Sequence, residues 1–125
     1  MFCFQCQETA MNKGCTRVGV CGKQPGTAVL QDLLIQVSRG LGLVWEHHPD
    51  ERAGALVLDA LFATITNANF DESRIRELID RVVALRDSMR QGCAACAELD
   101  HPSVTWAPRE GEDWVLAGEK VGVLA

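Results

Sequence analysis

Apolar and polar positions along the chain sort into three stretches of different character. Over residues 27–47, Leu30, Leu34, Val37, Leu41 and Val44 recur at intervals of three and four, which places them on one stripe of a helix. Thr27 is its expected N-cap, and Pro49 ends it. Gly40 and Gly42 lie inside this helix. Glycine weakens a helix interior, so the expected reason for both is close approach by a neighbouring segment. A second helix starts after Asp50 and is apolar nearly all round, from Ala53 through Leu58 and Phe62 to Ile65. That pattern predicts the central, most buried helix. Residues 67–69 break it. Asp71 then reads as an N-cap, with Phe70 stapled against Ile75. Ile75, Leu78, Ile79, Val82, Val83 and Met89 carry a third helix of clean period. Its other face holds Glu72–Arg76 and Glu77–Arg81 at the spacing of an exposed helix, a solvated face and not a binding site.

The flanking stretches have no such period. Residues 1–25 are rich in Cys and Gly and close on Pro25, a loop organised around something other than a hydrophobic core. Residues 100–125 dissolve into Pro, Gly and acidic residues, with Trp106 and Trp114 interspersed and a short extended segment expected at 121–124. The last residues are apolar with no charged residue closing them, which reads as the end of a fragment. The expected architecture is all-α: a three-helix bundle over 26–99, a cysteine-rich loop over 1–25 packed on it, and an irregular extension over 100–125. All three form one structural domain.

Composition narrows the field. The chain has 125 residues, 47% hydrophobic and 23% charged, which excludes intrinsic disorder and suits a single packed domain. A net charge of −5 argues against nucleic acid or an anionic membrane as the main partner. The longest apolar stretch, 53–65, is interrupted by Asp59 and Thr64 and is too short to span a bilayer. Cys3 and Cys6 stand where a signal peptide would carry charge, so a cytoplasmic location is expected.

Six cysteines are the unusual feature. In a reducing compartment such residues bind metal or do redox work more often than they form staples. Four follow the pattern Cys3-x2-Cys6-x8-Cys15-x5-Cys21, and four thiolates on one loop can serve zinc or an iron–sulfur cluster. Zinc sites usually show two short Cys-x2-Cys knuckles, and only the first pair here is short; the wider gaps suit a bulkier inorganic core. Gly14, Gly19 and Gly22 permit tight turns that bring backbone N–H groups to sulfur. Lys13, Arg17 and Lys23 against Glu8 leave the segment at +2, inside an acidic chain. That excess should partly neutralise an anionic cluster and raise its reduction potential. Spacing leaves both metals open, leaning towards iron–sulfur.

Several words of the sequence resemble a known family. Met1-Phe-Cys-Phe-Gln-Cys-Gln-Glu-Thr-Ala10, Gly14-Cys-Thr16, Gly19-Val-Cys-Gly-Lys23, Leu30-Gln-Asp-Leu-Leu-Ile35 and Leu61-Phe-Ala-Thr-Ile-Thr-Asn-Ala-Asn69 closely resemble the N-terminal part of the hybrid-cluster (prismane) proteins, the hydroxylamine reductase family. The resemblance runs with gaps along most of the chain and is thinnest over 92–102. It implies a helical domain whose first four cysteines, here Cys3, Cys6, Cys15 and Cys21, hold a [4Fe-4S] cluster. That cluster would relay electrons to a hybrid iron–sulfur–oxygen cluster that reduces hydroxylamine or nitric oxide. The hybrid cluster's ligands belong to downstream domains, and nothing in these residues replaces them. The implied partners are those domains and an external redox donor protein. This chain is therefore expected to be the electron-relay part of an oxidoreductase, with no catalytic residue of its own. The alternative is a structural zinc-binding helical interaction module.

Other residues draw blander readings. Cys93-Ala-Ala-Cys96 has thioredoxin-like spacing, but it falls at the C-terminal end of the third helix, where the dipole opposes a thiolate. If that helix continues through Gly92, both cysteines extend its apolar stripe. Buried unpaired cysteine is the favoured reading, with a regulatory disulfide or extra metal site the remainder. His47 and His48 read as a solvated helix end, and His101 as a loop residue without a partner. Trp45, Trp106 and Trp114 read as packing residues.

Overall fold

The structure, a computed structural model, describes residues 1–65, 71–108 and 114. Among the described residues the α-helices are, in order, α1 over Pro25–His47, α2 over Glu51–Ile65, α3 over Glu72–Gln91 and a single turn α4 over Pro102–Thr105. Short 3-10 turns occupy Ala10–Asn12 and Ala95–Glu98. No strand of a sheet occurs among the described residues; the only extended pairing there is one isolated antiparallel bridge, Cys3 with Cys15. The all-α expectation holds, and the first three helices fall close to where the periodicity places them.

The central helix is α1, not α2. Leu30, Leu33, Leu34, Val37, Leu41 and Val44 are all fully buried, and α1 packs against α2, α3 and α4. By contrast α2 turns Ala53, Leu56 and Ala60 inwards while Leu58 stays 70% and Phe62 66% exposed. An all-round apolar helix has no polar face to reveal which side is out, so the pattern could not orient it. From α3, Ile75, Leu78, Ile79, Val82, Val83 and Met89 complete the core, as its period predicts.

Helix ends correct the sequence reading in two places. α1 begins one turn earlier than Thr27 implies: Gln24 is the N-cap and Pro25 takes the first helical position, where its missing N–H costs nothing. Thr27 is buried in the first turn and donates its hydroxyl to Glu72 Oε1 at 3.4 Å, tying the two helix starts together. Glu72 is thus turned towards α1, and on the solvent side of α3 Arg74 pairs with Glu77 at 3.0 Å. Asp71 caps α3 as expected, accepting from the Ser73 N–H at 2.9 Å. Phe70, the break at 67–69 and the extended segment at 121–124 lie outside the described residues.

Residues 92–108 are more ordered than the sequence suggests. Ser103 and Val104 are fully buried against α1. A Cβ on Gly40 would collide with the Ser103 carbonyl, so that glycine marks a close approach; nothing lies within 4 Å of the equivalent point on Gly42. Arg86, 1% exposed, holds the segment from the α3 side, donating to Ser103 O at 3.0 Å and Trp106 O at 2.6 Å. His101 is not idle. Its Nδ1 accepts from the Ser103 N–H at 3.1 Å and caps α4.

Candidate metal centre

The N-terminal segment is folded around its cysteines. Cys3 and Cys15 form the bridge, with Cys3 N–H donating to Cys15 O at 2.9 Å and Cys15 N–H to Cys3 O at 2.8 Å. Both are buried, and the only other member of their small core is Ala28, in the first turn of α1. Between them the chain makes the 3-10 turn, whose Lys13 and Gly14 N–H groups both donate to Ala10 O. Thr9 braces that turn by donating to Cys3 O at 2.9 Å. After Cys15 the chain doubles back: Gly19 N–H donates to Lys23 O at 2.7 Å and Gly22 N–H to Gly19 O at 2.8 Å. Gly22 has φ +92°, a conformation open to glycine and costly for other residues. This turn brings Cys21 back to the others. Cys3, Cys6, Cys15 and Cys21 then line a single cleft with Gln5, Glu8, Thr9, Gly19, Val20 and Lys23. Cys3 and Cys15 are its buried wall, Cys6 is half-buried and Cys21 exposed.

The surroundings favour thiolate at one wall and resist it at the other. Backbone N–H groups of Val20 and Ala10, the latter at 3.5 Å from sulfur, hold the Cys15 thiol below its ordinary range, with the Thr9 hydroxyl and the Lys23 charge assisting. Burial pushes Cys3 up, opposed by the Gln5 N–H and the Lys23 charge. Val20 follows Gly19, one of the glycines expected to permit such contacts, whereas Ala10 and Gln5 adjoin none of them; N–H groups directed at sulfur stabilise metal-bound thiolate. Among the described residues, no three Cys, His, Asp or Glu side chains converge as ligands of one metal ion. The four cysteines line one cleft, a thiolate donor set of the kind that holds zinc or an iron–sulfur cluster.

One arrangement was not visible in the sequence. Lys23 is 1% exposed, and its Nζ donates to Gln5 Oε1 at 2.8 Å. Gln5 donates in turn to Asp32 Oδ1 at 2.7 Å and to Ala28 O at 3.2 Å. Burial raises the Asp32 carboxyl above its usual range, opposed by the Gln5 hydrogen bond and the Lys23 charge. The only signal was the local excess of positive charge, which did not single out Lys23.

The remaining candidates stay apart from the cleft. Cys93 and Cys96 are buried, as expected, but joined as a disulfide. Gly92 ends α3, and Cys96 sits in the following 3-10 turn, so the two sulfurs do not continue a helical stripe. That turn closes the four-residue loop at a Cα separation of 5.3 Å, within bridging reach. His47 is exposed at the end of α1, as read from the sequence. Trp106 meets Trp114 edge-on at 6.1 Å, and Arg76 lies 5.0 Å over the Trp114 ring, consistent with packing. No described helix is long and apolar enough to cross a membrane.

Comparison with known proteins agrees with the resemblance carried by the cysteine words. The Prismane/CO dehydrogenase family profile matches residues 1–119. Proteins named hydroxylamine reductase align over the whole chain: 51% identical in Nitratidesulfovibrio vulgaris, 42% in Desulfovibrio desulfuricans and 40% in Halothermothrix orenii. The chain spans about a quarter of those relatives, covering 25%, 24% and 25% of their lengths respectively. On the family match over residues 1–119 and these identities, this chain belongs to the Prismane/CO dehydrogenase family.

Proposed function

We propose that Cys3, Cys6, Cys15 and Cys21 hold a [4Fe-4S] cluster and that the chain is the electron-transfer part of a hydroxylamine reductase of this family. The observation that carries the reading is the convergence of all four cysteines on one cleft, with backbone N–H groups already directed at Cys15 sulfur. Bound there, the cluster supplies one-electron redox capacity. The chain's own contribution is to fix two ligands through the Cys3–Cys15 bridge and bring in Cys21 on the Gly22 turn. Partial burial limits access of water to the sulfurs. Reduction of hydroxylamine, the activity in the relatives' name, we assign to a hybrid cluster in downstream domains, with an external redox donor protein supplying electrons.

The test is iron and acid-labile sulfide content of anaerobically purified protein, with a visible spectrum before and after dithionite. About four iron and four sulfide per chain, with absorbance lost on reduction, is the expected result. Zinc without sulfide would make the chain a structural module and overturn the relay reading. Full iron content in Cys15→Ser would contradict the ligand assignment.

A further inference from the structure

Three cations lie in the cysteine segment, and the fold treats them differently. Lys13 and Arg17 are exposed, while Lys23 is buried against the cleft. A lysine stem normally lets its ammonium reach water, and burying that charge is costly unless it has partners. The partner supplied to Lys23 is unusual in its origin. Gln5, between Cys3 and Cys6, accepts from Lys23 Nζ at 2.8 Å and passes the contact on to Asp32 of α1 at 2.7 Å. One row of hydrogen bonds therefore joins the residue after the last turn, the residue between the first two cysteines, and the helix beneath. Gln5 is further pinned to the Ala28 carbonyl in the small core under the cysteines.

This geometry bears on a redox centre. Adding an electron to a four-thiolate cluster adds negative charge to a partly desolvated site, where a nearby fixed charge is weakly screened. An exposed cation at similar separation loses most of its influence to water and salt. Resting on the cluster reading above, we infer that Lys23, braced by Gln5 and Asp32, is the positioning residue that sets the reduction potential of the cysteine centre. Its charge raises the potential, and the Asp32 carboxylate lowers it. The reaction concerned is transfer of one electron from an external reductant to the cluster, with no bond broken in the protein. Lys23 lines the same cleft as all four cysteines.

The experiment is a set of anaerobic potentiometric titrations with dithionite, followed in the visible, on wild type, Lys23→Met, Asp32→Asn and Lys13→Met. Iron and sulfide are measured on each sample first. Lys23→Met should shift the reduced-to-oxidised ratio at fixed potential about tenfold towards oxidised, about 59 mV downwards for a one-electron couple. Asp32→Asn, which keeps an oxygen for Gln5, should shift it the other way, and Lys13→Met should change it less than about twofold. Opposite signs are a signature that simple loosening of the segment does not give. Unchanged potentials, or shifts of the same sign, in fully loaded Lys23→Met and Asp32→Asn overturn the inference and leave the cluster reading intact. If Lys23→Met does not retain iron, the Asp32→Asn titration decides alone: no upward shift overturns the inference. A wild type without iron and sulfide overturns the cluster reading and this inference together.

Discussion

Gly40 and Gly42 lie two residues apart in α1, and an added methyl should act on them with opposite sign. In a helix interior alanine is better than glycine by about 0.8–1 kcal/mol, because glycine loses more backbone freedom on folding. At Gly42 nothing lies within 4 Å of where the Cβ would sit, so Gly42→Ala should gain most of that amount. At Gly40 the same atom would collide with the Ser103 carbonyl and lie 3.0 Å from the Val104 N. Carbon contacts need about 3.5–4.0 Å, so α4 must retreat. Retreat pulls Val104 from the core and draws the Ser103 oxygen from Arg86, which donates to it at 3.0 Å. Overpacking costs about 1–3 kcal/mol and a hydrogen bond to a charged group about 1.5–3. Set against the propensity gain, the net loss is about 1.5–5 kcal/mol. For a chain of this length, 1 kcal/mol moves the melting temperature by about 3–6 °C. Gly40→Ala should therefore melt about 5 °C or more below wild type and Gly42→Ala a few degrees above it. Far-ultraviolet circular dichroism on samples of equal iron content provides the assay, since metal lost on unfolding breaks two-state behaviour. A Gly40→Ala protein as stable as wild type refutes the close approach of α4 to α1.

Other substitutions probe the cleft and the helix ends. A Cβ on Gly19 would stand 3.0 Å from Lys23 Cβ and 3.1 Å from Cys21 sulfur, so Gly19→Ala should retain less iron with helix content unchanged, read by metal analysis and circular dichroism. The Arg52 side chain and N–H hold the Asp50 carboxyl at about 2, below its ordinary 3.8. Its contribution is therefore complete above pH about 4 and lost as pH falls towards 2. The melting difference between wild type and Asp50→Asn should accordingly shrink over that window and stay flat above it. Replacing Cys93 and Cys96 together by Ala should leave iron content and dithionite bleaching unchanged, while wild type gains two hydrogens in mass on treatment with a dithiol. Loss of bleaching in the double variant would tie that disulfide to the redox centre.

What the sequence could reveal depended on whether a feature was local. The third helix was legible because its apolar stripe stands against a charged face, and Asp71 announced its start. The second helix was placed correctly but assigned the wrong burial, since Leu58 and Phe62 look no different from Leu56 in a run without polar contrast. Thr27 was a plausible cap by type, yet Pro25 already marked the first helical position, and Thr27 was required by Glu72 from 45 residues away. His101 acquired a partner only because the next residues coil into a turn buried on α1. The four cysteines could be grouped by spacing, and the structure does bring them to one cleft. The burial of Lys23 could not be read, because it depends on Gln5 and Asp32, which sequence separates by 18 residues or more from one or the other partner.

The described residues form two cores of unequal kind, and on the proposed cluster reading they should respond differently to loss of the metal. The large core joins α1, α2, α3 and Val104 of α4 through fully buried aliphatic side chains, and no cysteine of the cleft belongs to it. Burying a leucine or valine contributes about 1.5–3 kcal/mol, so this assembly has its own source of stability. The small core holds only Cys3, Cys15 and Ala28 from the inside, with Met1 and Ala10 at its edge. Two bridge hydrogen bonds, the turns and the Gln5 row cannot offset the ordering entropy of some 25 residues at about 1–2 kcal/mol each. On the cluster reading proposed above, metal–thiolate bonds supply the difference, and cluster binding and order in this segment then share one free energy. Removing iron with a chelator should then abolish amide-exchange protection at Cys3 and Cys15 while Leu34, Val37 and Ile79 keep theirs. Protection lost equally in both regions would mean that the bundle itself depends on the cluster. Protection kept in both would mean that hydrogen bonds alone order the cleft. On that reading, the expected asymmetry lets the cysteine loop assemble around the proposed cluster on a helical base that is already formed.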